Sequence, residues 1–214
     1  MVSSILLLFT DPDGFFRRDP KEWSGLKTPA VIVLALGTLS AIIVYLQTPL
    51  LLQIFPENLR AEMGLFSLFG IPVGFIAPFI EWVVFTGIFY VISMIFMGKG
   101  TFTRTLAAIG CGFLPIAIGS LIDLIILWYY LPGIQVSPVK DVMDIQSATI
   151  TLTHSPVFQI TGMVSIIFLL WSASIWIFGL RSSRELTLRN AAISVGLPVV
   201  VYIGITLVSI GVFS

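Results

Sequence analysis

Charge is scarce in this 214-residue sequence, at 10% of positions against about 25% in a soluble domain. Apolar residues make up 57%, and the mean hydropathy is +1.05. A globule of this length has too little interior to hide so much apolar surface, so lipid is the solvent for most of the chain. The 11 basic and 11 acidic residues balance, which leaves no basic field to neutralise phosphates and excludes a nucleic-acid partner. One cysteine, Cys111, excludes an intramolecular disulfide and a thiolate metal cluster. Cys111 lies in an apolar run and reads as a small packing residue. The one histidine, His154, has no neighbour at metal-ligand spacing and reads as a solvated loop residue. With His154 and Cys111 far apart, the usual nucleophilic triads cannot be built, and HExxH, CxxC and phosphate-binding glycine motifs are absent. The expectation is a non-enzyme with no cofactor.

What the chain does have is apolar length. A crossing helix needs about 20 mostly apolar residues, and five stretches qualify, at about 29–51, 72–97, 105–131, 157–180 and 190–212. The pattern therefore predicts an all-α integral membrane bundle of five transmembrane helices over 28–214, preceded by an interfacial segment, 1–27. The basic residues orient it. Arg17, Arg18, Lys21 and Lys27 precede the first span, Lys99 and Arg104 lie between the second and third, and Arg181, Arg184 and Arg189 lie between the fourth and fifth. Only Arg60 and Lys140 fall on the other side. Basic loops stay cytoplasmic, so the N-terminus is expected in the cytoplasm and the C-terminus outside, in a multi-pass protein of the cell membrane.

The pieces between spans carry expectations of their own. The apolar run Ile5–Phe9 is too short to cross; with no basic residue before it, it reads as a retained interfacial anchor and not a signal peptide. In 1–27 one or two short helices should lie on the cytoplasmic face, with Phe15, Phe16 and Trp23 in the interface. That face serves either as a membrane anchor or as a docking surface for a soluble partner. Gly70, Pro72, Gly74 and Pro78 predict a bent or broken start to the second span, with a short interfacial or re-entrant piece before Pro78. Pro115 should kink the third span toward a neighbour, with Gly112 and Gly119 accepting the contact. In the longest loop, Thr149–Thr153 alternates Thr with Ile or Leu, a pattern for a short strand or hairpin.

Two acidic residues, Glu81 and Asp123, fall inside spans. Intramembrane carboxylates cost about 3 kcal/mol on insertion scales and usually face the bundle interior or a wet cavity. Glu81 lies about 13 Å from the outer end of span two and Asp123 about 12 Å from that of span three, at about 1.5 Å per residue. If those spans are antiparallel neighbours, the two carboxyls meet. They would then share a proton or hold a cation such as calcium or magnesium, with backbone carbonyls or waters completing its shell. A protonated carboxyl hydrogen-bonded across helices, or a Glu81 that reaches the outer interface alone, are the structural alternatives.

Two segments resemble a known family. Leu8-Phe9-Thr10-Asp11-Pro12-Asp13-Gly14-Phe15-Phe16-Arg17 is similar to the "DP..FF" opening of prokaryotic Yip1-domain proteins. Gly98-Lys99-Gly100-Thr101-Phe102-Thr103-Arg104-Thr105-Leu106-Ala107, followed by Gly112-Phe113-Leu114-Pro115, resembles that family's glycine-rich loop and proline-bearing span. The resemblance implies a helical bundle without catalytic activity. Eukaryotic members act in vesicle traffic and bind small prenylated GTPases through their cytoplasmic side. This sequence lacks their long N-terminal extension and "DLYGP"-type segment and resembles the compact prokaryotic form. Physically, Gly98 and Gly100 are expected to break the second helix and Thr101 or Thr103 to cap the third, while Lys99 and Arg104 reach anionic headgroups.

Two functions follow: a membrane organiser or partner-recruiting scaffold, with self-association as a further option, or a small-ion or proton transporter using Glu81 and Asp123. Single-cysteine labelling in a Cys111→Ser background should find position 183 cytoplasmic and position 147 external. Labelling of position 183 from outside would overturn the five-span layout.

Overall fold

A computed structural model describes residues 2–212 apart from positions 19, 135, 137 and 140, and every regular element among them is helical. The chain opens with α1 (Val2–Thr10), α2 (Pro12–Phe16) and α3 (Pro20–Trp23). It continues with α4 (Lys27–Ile54), α5 (Glu57–Ile95), α6 (Phe102–Cys111), α7 (Leu114–Tyr130), α8 (Ile145–Thr153), α9 (Pro156–Arg184) and α10 (Leu188–Ser209). Among the described residues five stretches are long and apolar enough to cross a bilayer: α4, α5, α6 with α7, α9 and α10. The protein is a multi-pass, all-α membrane bundle.

The expected break in the second span is absent. α5 runs unbroken for 39 residues through Pro72 and Pro78, about 58 Å at 1.5 Å per residue and well beyond the hydrocarbon core. Leaving the helix in lipid would free several backbone groups, whereas each proline removes one bond, so the helical path wins. Small residues lash this stretch to α4: a Cβ on Gly37 would lie 2.5 Å from the Phe75 carbonyl oxygen, and one on Gly74 2.9 Å from Val44.

The third crossing is broken outright, beyond the kink expected. Gly112 N–H donates to Ile109 O at 3.0 Å and Phe113 N–H to Gly110 O at 3.2 Å, a tightening to three-residue turns. α7 then restarts with buried Pro115 in its first turn, where a missing N–H removes no helical bond. The Thr149–Thr153 stretch is helix, not strand. Thr149 and Thr151 hydroxyls donate to the carbonyls four residues back, at 2.8 and 2.9 Å, and a helix meets its own backbone needs without a partner strand.

The break shapes the bundle. α6 sits on the axis at the end that holds the N-terminus, packed against α4, α5 and α9; α7 moves out into the wall, between α4 and α9. The ring α5–α4–α7–α9–α10 closes on itself, with α10–α5 its thinnest seam. At the far end Leu50, Ile54 and Leu152 form a cap with Leu131, Ile134, Val136, Val139 and Ile145, and Val139 N–H donates to Ile54 O at 3.0 Å.

Among the described residues the N-terminal helices are three, and two of the three aromatics expected in the interface turn into the bundle, with Phe15 half-buried beside them. Phe16 and Trp23 are buried with Leu8, Ala108, Cys111 and Ile175, and their rings meet edge-on at 5.3 Å. Burying these rings in the bundle removes more apolar surface than resting them among headgroups. Ser183 is likewise buried, so topology is better read at exposed Arg189 and Ser147.

Gly112 faces the Trp176 ring so closely that a Cβ would overlap it. Trp176 is fully buried and its Nε1 donates to Ile109 O at 2.8 Å, so it cannot step aside. Gly112→Ala is expected to destabilise the purified protein by about 1–3 kcal/mol, read from denaturation in mild detergent. An unchanged midpoint would show that α6 is not held this tightly.

Candidate functional site

Because α6 fills the axis at one end and α7 leaves it, the other half of the ring encloses a cavity of about 440 Å³. Its walls carry two carboxyls, Glu81 and Asp123, with Gln47, Thr161, Ser165 and Thr206. Among the described residues no lysine, arginine or histidine lines it. The floor is aromatic: Phe85 and Phe113 face the cavity, and Trp176 stacks beneath Phe85 at 5.3 Å, with Phe89 beside it. Below that floor Phe89, Ile109, Trp176 and Leu180 are fully buried.

Asp123 is only 8% exposed. Its Oδ2 accepts a hydrogen bond from Ser165 on α9 at 2.9 Å, and its buried Oδ1 has no hydrogen-bond partner. Gly119, one turn before it, lies against Phe168, so the small-residue face of α7 packs on α9. Glu81 is exposed, in the α5–α10 seam beside Tyr202. The antiparallel-neighbour argument pairs spans two and three, but α5 packs on α6 whereas α7 packs on α4 and α9. The carboxyls therefore share a cavity wall without sharing a helix–helix contact. Among the described residues no group of three His, Cys, Asp or Glu side chains is placed to hold a metal ion.

At the opposite end the glycine-rich loop folds around a residue that sequence reasoning missed. Arg184, at the last turn of α9, is 3% exposed. Its Nε donates to Ser93 Oγ at 2.8 Å, its two terminal nitrogens donate to the carbonyls of Gly98 and Gly100, and its guanidinium lies 4.0 Å from the centre of the Tyr90 ring. Lys99 N–H returns a bond to Arg184 O at 2.8 Å. No described carboxylate pairs with it, so carbonyl dipoles and the ring face hold the charge. α5 ends on a left-handed Met97, before the glycines. Gly98 is needed for its smallness, since a Cβ would lie 3.1 Å from Arg184 Nε. Gly100 is needed for its φ of +106°. Thr101 caps α6 as expected, accepting from Arg104 N–H at 3.3 Å. Arg104 does not reach outward: it donates to Ser182 O at 2.9 Å and stacks on Trp23. Arg181, Arg184 and Arg189 look alike in sequence, and the contacts of Arg184, each across more than 80 residues, leave no local signal.

Pro115 and the glycine loop thus belong to one device that sets the α6 segment between two turns. Residues 6–210 match the Yip1 domain. The chain belongs to the Yip1 domain family. It is 33% identical over 129 residues to an uncharacterised protein of the archaeon Methanocaldococcus jannaschii, an alignment that covers 60% of this chain and 92% of that one. No solved structure matches. In this Yip1 domain the family-like motifs sit at the N-terminal end of the bundle, whereas the acidic cavity occupies the other half. His154 is half-buried there, its ring packed on Gly211, and is not the solvated residue expected.

Arg184→Met keeps most of the side chain's bulk but leaves the Gly98 and Gly100 carbonyls unpaired. It is expected to lower stability by about 2–4 kcal/mol, with Arg184→Lys recovering only part, since a point charge cannot serve three acceptors in a plane. Equal stability of all three proteins in a denaturation series would refute the clamp.

Proposed function

We propose that this Yip1 protein is a non-enzymatic organiser of the cell membrane that presents its N-terminal end to a soluble partner in the cytoplasm. The observation that carries this reading is the docking of α1–α3. Asp13 pairs with Arg181 of α9 at 3.0 Å and with Arg17 at 2.7 Å, while Phe16 and Trp23 are buried beneath. A segment serving only as a tether has no need of such anchors; held this way, it offers a fixed charged surface of Arg17, Arg18 and Lys21. The excess of basic residues at this end supports its cytoplasmic placement.

Ion or proton transport is the second reading, favoured by the carboxyl-lined cavity. Against it stands the packed layer of Phe89, Ile109 and Trp176, which an ion would cross only by displacing α6.

In-membrane crosslinking from position 17 should trap a discrete cytoplasmic protein. The product should fall several-fold in Arg181→Asp and return in the Asp13→Arg/Arg181→Asp exchange. The same protein in liposomes should pass no more protons, sodium or calcium than empty vesicles. A flux lost in Glu81→Gln/Asp123→Asn would overturn the organiser reading in favour of transport.

A further inference from the structure

The acidic cavity is not isolated from the bilayer. A second groove of about 470 Å³, apolar apart from Glu81 and Tyr202, runs along the lipid-facing side of the α5–α10 seam, lined by Ile88, Leu197, Val201 and Ile205. Glu81, Phe85 and Tyr202 line both spaces. One face of this seam is therefore hydrocarbon and the other polar, with a carboxyl at the threshold. Each space falls in the size range of small-molecule sites, and together they describe a ligand with two chemically different parts.

The polar part must be cationic. The cavity offers two carboxyls and several hydroxyl and amide oxygens, and among the described residues no basic side chain lines it. Asp123, more than nine-tenths buried, lines the cavity and keeps a buried Oδ1 without a partner, and a buried acceptor left unsatisfied is unfavourable until a donor reaches it. A protonated amine brings three donors and a charge of the right sign. A head carrying phosphate and no cationic group would set negative charge against two carboxyls, which disfavours anionic phospholipids. The apolar part is set by the groove: a flexible alkyl chain lies against Ile88, Val201 and Ile205 and stays in the bilayer from which it came. A hydrated inorganic ion would have no use for that groove.

We infer that Glu81 and Asp123 form the head site for a single-chain, amine-headed membrane amphiphile, which enters sideways through the α5–α10 seam and lays its tail in the groove. The inference stands apart from the proposed partner-docking face, since it concerns the other half of the bundle. The seam suits such entry, being the thinnest contact in the ring.

Thermal unfolding of the full chain in zwitterionic nanodiscs tests this with four probes: dodecylamine, dodecanoic acid, dodecanol and ethylamine. Dodecylamine should raise the midpoint in a saturable way, as for a ligand that binds only the folded state, while the other three should not at equal concentration. Glu81→Gln and Asp123→Asn should each weaken the response about tenfold, as expected for loss of a charge-assisted hydrogen bond. Ile205→Trp, which leaves both carboxyls in place and fills the groove, should weaken it comparably. Equal stabilisation by ethylamine would mean that a cation suffices and the tail is irrelevant. Equal stabilisation by dodecanoic acid or dodecanol would mean that the head is irrelevant. A response unchanged in Glu81→Gln/Asp123→Asn would assign the effect to the bilayer. Any of these three results overturns the inference.

Discussion

Two indole hydrogen bonds hold the axis of this bundle, and most of its architecture depends on them. Trp82 of α5 donates to Leu106 O and Trp176 of α9 to Ile109 O, each at 2.8 Å. Both acceptors lie on α6, one helical turn apart. In lipid a polar group without a partner is costly, so a tryptophan buried in a bundle is strongly directed toward any reachable carbonyl. Here the carbonyls come from a short helix made approachable by Gly110 and Gly112, at which side chains would collide with Trp82 and Trp176. Individually such bonds contribute only about 0.6 kcal/mol in membrane proteins. Their weight here is positional: they fix α6 between α5 and α9 and leave no space on the axis for α7.

Everything else follows from where α6 stops. Its N-terminus is fixed by Thr101 and by the loop wound around Arg184, its C-terminus by the turns at Gly112 and Phe113. Half of the bundle is consequently solid, with aromatic and aliphatic side chains in close contact across the axis. The other half is a ring of five helices around a space, and polar side chains on α4, α5, α7, α9 and α10 turn into it because lipid is the less favourable alternative. The N-terminal helices pack on the solid half, where Gly179 admits the Phe16 ring. The two ends of the molecule are thus suited to different work: one rigid and charged, the other hollow and acidic.

Much of this was legible in the residues. Five apolar runs of sufficient length specify five crossings, because the thickness of a bilayer is a fixed ruler and the hydrophobic effect ignores detail. Cys111 as a packing residue and Thr101 as a cap were likewise readable, since burial and capping are local. Local rules failed where a neighbour supplied what the segment lacked. Pro72 and Pro78 did not break α5, because α4 packs tightly along it and lipid penalises an open backbone. Thr149–Thr153 did not form a strand, because among the described residues no second strand lies beside it. Arg104 and Arg184 did not stay in solvent, because Ser182 and the glycine-loop carbonyls accept their protons and Trp23 and Tyr90 offer ring faces.

The sequence by itself determined the solvent of this protein, the number of its crossings and the presence of two carboxyls at membrane depth. Composition and run length carry that information without reference to contacts. Tertiary structure alone decided that Glu81 stands at a lipid-facing seam while Asp123 is buried on Ser165, and that Arg184 organises the glycine loop. The reason is physical: depth along a helix is a property of sequence position, but the side to which a residue turns depends on which helices are its neighbours. In this bundle that was settled by a turn at Gly112 and Phe113, which placed α6 and α7 against different partners.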